Sequence, residues 1–410
     1  MSVNKYWLRE SLKRQQLIFE NSLILNPTEN VPLIQNIQNE FQHLNGLYVT
    51  DQNRGAISPE KLKVAFGGRE RASYDNRKIN SSWAQAFEGA SASLRLLSGL
   101  HAHIALFMSL ANIGDTVLLL PEEGGGHFSV SKILKRLGLS VIYIPLDTDT
   151  YSIDLKNTKK IIEENKIDFL FIDRSEGVVY EDFTELVNFC KNDKIYSIFD
   201  ASQYVTNIIC KDFKNPFDMG FDLIVATLHK NFPGPQKALV VTQKIDQFWE
   251  IIVSDFSIFI SNSHPLAIYQ AGEAILHNSK LKKYSHEMLA TQRKLNTEML
   301  NLNINMVLPK KTSQNTHHLW IKYSSPSLAH RDFKVLEKLR INTNFRLLPY
   351  GLGHGIRMGT SAAVLQGLTV SKVPKLASLL HMAFNEGFSL CLKHKFKTYI
   401  NHLRENNEFT

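Results

Sequence analysis

The chain is poor in cysteine. Cys190, Cys210 and Cys391 are too few and too scattered for a disulfide framework, and no CxxC or Cys/His spacing offers a metal site. It also lacks an uninterrupted apolar run of membrane-spanning length. Its first residues, Met1 to Arg14, are polar and charged, unlike a secretory signal. These absences predict a reducing, cytoplasmic setting with no membrane and no metal. The net charge of +8 would suit a nucleic-acid partner, yet the basic residues are dispersed, with small knots such as Lys282-Lys283. No nucleic-acid motif surrounds them, so none is expected as a partner. What is present is ordinary for a globular chain: 43% hydrophobic and 21% charged residues in a length of 410, enough for a large core and more than one domain.

The first thirty residues read as a helical arm ending in an irregular stretch, Leu25-Asn26-Pro27-Thr28-Glu29-Asn30. Residues Tyr48 to Asn80, rich in Gly, Arg, Asn and Ser, show no period and predict a long ordered loop. From about residue 95 short β-branched runs alternate with helical stretches. Strands are expected near 116–120, 141–144, 169–172, 197–199, 223–226 and 238–241. Helices are expected near 101–111, 130–137, 155–164 and 184–192. This alternation predicts an α/β fold with a mostly parallel central sheet, whose ligands bind at the carboxyl ends of the strands. A long helical stretch should follow Pro265 to about Leu302, with late strands near 318–321 and 355–358. We therefore expect an arm over 1–35, a large α/β domain over 36–265, and a smaller C-terminal α+β domain over 266–410.

Several motifs carry chemistry. Ala226-Thr227-Leu228-His229-Lys230, followed by Asn231-Phe232-Pro233-Gly234-Pro235, sets a lysine just past a strand end. There a partly desolvated amine can form a Schiff base. Thirty residues earlier, Ile198-Phe199-Asp200-Ala201-Ser202-Gln203 sets an acid at another strand end. Pyridoxal 5'-phosphate (PLP) needs such a carboxylate to keep its ring nitrogen protonated. Glu123-Gly124-Gly125-Gly126-His127 offers close backbone approach and an imidazole that could stack on a flat ring. Ser98-Gly99 opens a helix whose free N–H groups suit a phosphate. Arg357, in Gly355-Ile356-Arg357-Met358-Gly359, could hold a carboxylate through two hydrogen bonds. Each alone also fits a plain turn, cap or structural arginine; Lys230 and Asp200 together favour the cofactor.

In order and spacing these pieces resemble the serine hydroxymethyltransferase family of fold-type I PLP transferases. The resemblance implies that Lys230 is the Schiff-base lysine, that Asp200 pairs with the pyridine nitrogen and that His127 stacks on the ring. It implies that Ser175 lies near the cofactor O3', that Thr227, His229, Ser98 and Gly99 line the phosphate and site wall, and that Arg357 binds the substrate carboxylate. Thr28, in Thr28-Glu29-Asn30, matches a substrate-contacting residue. Tyr48 and the Ser261–Pro265 stretch, with Ser263, match groups supplied across a homodimer, or a dimer of dimers.

The departures shape the functional expectation. The family's Y-A-E-G reads Tyr48-Val49-Thr50-Asp51 here, Y-Y-G-G reads Ala65-Phe66-Gly67-Gly68, D-M-A-H ends in Gln203, and S-G-S ends in Leu100. The lost glutamate and tyrosine serve folate-dependent one-carbon transfer in that family. The implied activity is thus aldol-type cleavage and transfer on β-hydroxy-α-amino acids with an aldehyde partner, as in the family's threonine aldolase and transaldolase branch, without folate. His127 is the candidate for proton transfer, with Tyr48 a further catalytic candidate. A true tetrahydrofolate-using hydroxymethyltransferase and another fold-type I enzyme, such as a transaminase, are the alternatives. The insertion between Thr50 and Val64 could shape the pocket for a larger aldehyde.

Overall fold

The six β-branched runs become neighbouring strands of one sheet. The computed structural model describes residues 7–33, 41–50, 67–309 and 314–409. Its seven-stranded sheet contains β1 (Ser91–Ser93), β2 (Thr116–Leu119), β3 (Ser140–Tyr143), β4 (Phe169–Asp173), β5 (Tyr196–Asp200), β6 (Leu223–Thr227) and β7 (Ala238–Thr242). The order is β1-β7-β6-β5-β4-β2-β3. β3, β2, β4, β5 and β6 run parallel, while β7 is antiparallel to both β6 and β1. β4, β6 and β7 are buried along their whole length, as expected of a sheet covered on both faces.

Side chains alternate between two cores with the strand period of two. Leu170, Ile172, Phe199, Ile224 and Ala226 face one core together with Trp83, Phe232 and Tyr284. Phe169, Phe171, Ile198, Leu223 and Val225 face the other with Ala105, Phe107, Trp249 and Phe256. A third core gathers the C-terminal elements, among them Leu319, Ile356, Leu376 and Phe396. Leu23 and Leu25 from the N-terminal arm join it, because Leu23–Ile24 pairs in parallel with Ile341–Asn342. A small antiparallel sheet lies here: β8 (His318–Lys322) and β9 (Asn344–Leu348) flank β10 (Gly353–Gly359).

One expectation is corrected and one refined. The loop foreseen over Tyr48 to Asn80 contains a helix, α1 (Glu70–Ala86). Its Asn- and Ser-rich sequence has little intrinsic helix preference. Packing makes the helix: Trp83 is fully buried, and Ile79 fits against Gly272, whose added Cβ would lie 2.8 Å from Ile79 Cδ1. The long helical stretch foreseen after Pro265 consists of two helices, Pro265–Leu276 and Asn278–Asn301, broken at His277, whose ψ of 54° leaves the helical region. No described helix is long and apolar enough to cross a membrane.

Candidate active site

The carboxyl ends of β4, β5 and β6 bring the chemical groups together. Asp173 and Asp200 end adjacent parallel strands and face each other in register. Both are almost wholly buried. Asp200 Oδ2 lies 2.7 Å from His103 Nε2, and Asp200 Oδ1 accepts the Ser202 N–H at 2.8 Å. Burial alone would raise the Asp200 pKa. The His103 hydrogen bond and charge, with Lys230 and Ser202, outweigh that and hold it below the usual carboxylate range. Asp173 goes the other way, pushed up by burial and then by the Asp200 charge. His103 projects from α2 (Gly99–Leu110). Its role was invisible in the sequence, where it is one histidine within an apolar helix.

Asp173 organises the glycine loop. Its Oδ2 accepts the His127 N–H at 3.1 Å and its Oδ1 accepts the Ser175 hydroxyl at 2.6 Å. Glycine is required at 125: φ is +91°, and an added Cβ would lie 1.9 Å from Glu176 O. The His127 ring stacks on Phe128, centroids 4.8 Å apart. Burial first, then Lys230 and His103, lower the His127 pKa to about 4, so its imidazole is neutral near pH 7. His229 is likewise lowered to about 4 by burial and Lys230.

Lys230 is half-buried just beyond β6. Its carbonyl accepts Asn30 Nδ2 at 2.6 Å, which pins the Thr28-Glu29-Asn30 turn to the lysine loop. Thr28 Oγ1 itself donates to Asn26 Oδ1 at 2.8 Å. Ser98 caps α2 by accepting the His101 N–H. Gly99 lets this helix start press on the β6 end, since an added Cβ would come 2.7 Å from Thr227 Cγ2.

Arg357, on β10, is buried. It donates through Nε and Nη2 to Asn344 Oδ1, at 3.2 and 2.7 Å. Its Nη1 lies 3.3 Å from Glu176 Oε1, which also pairs with Arg346 of β9. Neither Glu176 nor Arg346 was anticipated from the sequence. Gln203 Oε1 meets His318 Nε2 at 3.3 Å. Next to His318 stands a buried His317, its pKa lowered to about 3 by burial and then by Arg357.

Ser263 is held to the segment that carries Tyr48, and its carbonyl accepts Lys237 Nζ at 2.8 Å. Ser263 is buried, accepts Asn76 Nδ2 at 3.2 Å through Oγ and donates its N–H to Val49 O at 2.8 Å. Asn262 ties the same two segments through the Val49 N–H and Leu47 O. Thr50 is half-buried; its carbonyl accepts Arg95 Nη1 at 2.8 Å. Asp51, Ala65, Phe66 and the stretch to Val64 lie outside the described residues.

The donor set fits PLP. Thr227 Oγ1, His229 Nδ1 and Gln203 Nε2 are buried without a hydrogen-bond partner, a costly arrangement unless a polar group meets them. Thr227 and His229 stand next to Lys230 in sequence, and Asp200, held below the usual carboxylate range, ends the neighbouring strand. Among described residues no cluster could hold a metal ion.

The serine hydroxymethyltransferase family model matches residues 78–380. A serine hydroxymethyltransferase of Archaeoglobus fulgidus is 26% identical over 311 residues, 73% of this chain and 70% of the relative. That of Korarchaeum cryptofilum is 25% identical over 309 residues, 70% of this chain and 71% of the relative. Among solved structures, L-threonine transaldolase from Pseudomonas fluorescens in its internal aldimine state superposes with a TM-score of 0.87. It is 18% identical and covers 97% of this chain and 91% of its own. That likeness shows the fold, and the family match over most of the chain assigns the rest: this chain belongs to the serine hydroxymethyltransferase family, fold-type I enzymes whose cofactor is pyridoxal 5'-phosphate.

Proposed function

We propose that the chain cleaves β-hydroxy-α-amino acids at the Cα–Cβ bond and transfers the glycine unit to a second aldehyde, without folate. The observation that carries this reading is Thr50. By the sequence resemblance it matches the family's proton-transferring glutamate, and its backbone carbonyl accepts Arg95 Nη1. A threonine hydroxyl is too weakly acidic to exchange protons near neutral pH, and such steps contribute about 10²–10⁴-fold. The fold shared with an L-threonine transaldolase supports the same reading.

PLP, when bound, supplies a carbonyl carbon for the substrate amine and a ring that takes up the electron pair of the breaking bond. Lys230 Nζ would hold the cofactor. Asp200, kept ionised by His103 and the Ser202 N–H, would hold the ring nitrogen protonated. Thr227 Oγ1, His229 Nδ1, Gln203 Nε2 and the Ser98-Gly99 helix start would bind its polar edge. Ser175 would reach O3'. His127, neutral at pH 7, accepts the β-hydroxyl proton as the aldehyde forms. Arg357 fixes the α-carboxylate and so orients the bond that breaks. We read the active form as a homodimer, with Tyr48 and Ser263 acting at the neighbouring subunit's site.

The names of the curated relatives favour a second reading, serine–glycine interconversion with tetrahydrofolate. One comparison separates the two: threonine cleavage without folate, with and without an added aldehyde, against serine turnover with saturating tetrahydrofolate. Folate-free threonine cleavage and a new β-hydroxy amino acid are expected. Strongly folate-stimulated serine turnover with negligible threonine cleavage overturns the proposal.

A further inference from the structure

Arg357, the residue proposed to take the substrate carboxylate, already has a carboxylate. Glu176 Oε1 sits between Arg357 Nη1, at 3.3 Å, and Arg346 Nη1. The two arginines share one face of the small sheet. Arg357 stands opposite Asn344 in register, and Arg346 follows two residues along the same strand. Glu176 engages both through one oxygen, while its other oxygen, Oε2, is buried without a partner. A substrate carboxylate arriving at Arg357 therefore meets a resident competitor.

We propose that Glu176 competes with the substrate for Arg357 and that Arg346 is the positioning residue that draws it away. This rests on the proposed role of Arg357. The charge count favours an exchange: two guanidinium groups are matched when Glu176 settles on Arg346 and the substrate on Arg357. The exposures set its direction. The Arg357 and Glu176 side chains are 5% and 7% exposed, whereas that of Arg346 is 26% exposed. Glu176 thus moves toward the wetter side, where leaving Arg357 costs least. The other charged groups facing Arg346 are Glu122 and Arg357; the titratable His127 across the site is neutral at pH 7. Burial lowers both arginines only to about 10, so both stay charged at neutral pH. Without Arg346, Glu176 would have one cation left, Arg357, and every amino-acid ligand would face a stronger rival.

The test is a double-mutant cycle on the PLP-loaded protein, read as the dissociation constant of L-alanine, with L-aspartate in parallel, by calorimetry. Arg346→Gln should weaken L-alanine about tenfold, and Glu176→Gln should tighten it. In the Glu176→Gln background Arg346→Gln should have little further effect. Arg346→Lys keeps a cation and should fall between. Cofactor absorbance, recorded for each variant, verifies that the site is intact. Equal effects of Arg346→Gln in both backgrounds overturn the inference. So does a loss confined to L-aspartate, which would make Arg346 a direct ligand for a second substrate carboxylate. If Arg357→Lys leaves L-alanine binding unchanged, the carboxylate role of Arg357 itself fails. If that variant weakens binding and Arg346→Gln does not, only the exchange fails.

Discussion

His103 Nε2 and Asp200 Oδ2 lie 2.7 Å apart, with both side chains less than 5% exposed. The pair joins a helix that begins at the proposed phosphate end of the cofactor to the carboxylate proposed for its ring nitrogen. Replacing His103 by Phe would keep the volume beside Phe171, whose ring centroid is 5.1 Å away, and remove the hydrogen bond. Asp200 would then be easier to protonate. A hydrogen bond to a charged group is worth about 1.5–3 kcal/mol, so turnover should fall about 10- to 100-fold. The acid limb of the pH–rate profile should move upward, and His103→Gln should restore part of the loss. An unmoved acid limb would reduce His103 to a packing role.

Arg357→Lys should raise the amino-acid KM by about 10-fold or more, because an ammonium lacks the two-pronged fit. The cost is sharpened here, since a single cation point must also hold off Glu176. Steady-state kinetics with L-threonine checks this; a KM within twofold of the parent would move the carboxylate site elsewhere.

Stability should depend on acid in a specific window. His127 and His229 are lowered to about 4, and His317 to about 3, from the ordinary 6.5. Their folded pKa values lie below the unfolded ones, so the unfolded chain binds more protons between about pH 6.5 and 4. Stability is therefore present above pH 6.5 and lost as pH falls through that window. Each such histidine contributes about 1.4 kcal/mol per pH unit at the steepest point. His101, His264 and His318, also lowered by burial, add to this slope, while Asp173 and Glu181, raised by burial, oppose it. Urea unfolding of the apo-protein from pH 8 to 4 measures the slope. A flat profile would mean that these rings are not held neutral.

Lys230→Ala should lose every borohydride-reducible link to the cofactor, and Tyr48→Phe should keep it. If Tyr48 acts across a dimer, mixing the two inactive variants under exchange conditions rebuilds one intact site in each hybrid, about a quarter of parental activity on statistical grounds. No recovery on mixing, with hybrids demonstrated, would return Tyr48 to its own subunit's site or remove it.

Much of the fold was legible. The six strand runs declared themselves by β-branched composition, and all lie within two residues of their expected limits. Fully buried strands need continuous apolar runs, which sequence displays. The helix Glu70–Ala86 did not, because its Asn- and Ser-rich sequence is helical only through the packing of Trp83 and Ile79. Strand Ser91–Ser93 was missed for a like reason: three small residues carry no period, and pairing with β7 makes the strand. In the site, Lys230, Asp200 and His127 stand in local motifs. His103 and Glu176 act only through partners 97 and 181 positions away. No local pattern encodes that distance.

The clasp between Asn30 and the Lys230 carbonyl also ties the lysine loop to the far end of the chain. The arm that carries Asn30 is held at Leu23 by Ile341, at Ile24 by Gln366 and at Leu25 by Gly359. Each of these partners lies more than three hundred residues further along the chain. The lysine loop is also held by Thr206 and Tyr284 on Asn231, so the arm adds a last fastening to a loop already in place. The Asn30 fastening of the lysine loop thus depends on contacts made more than three hundred residues further along the chain.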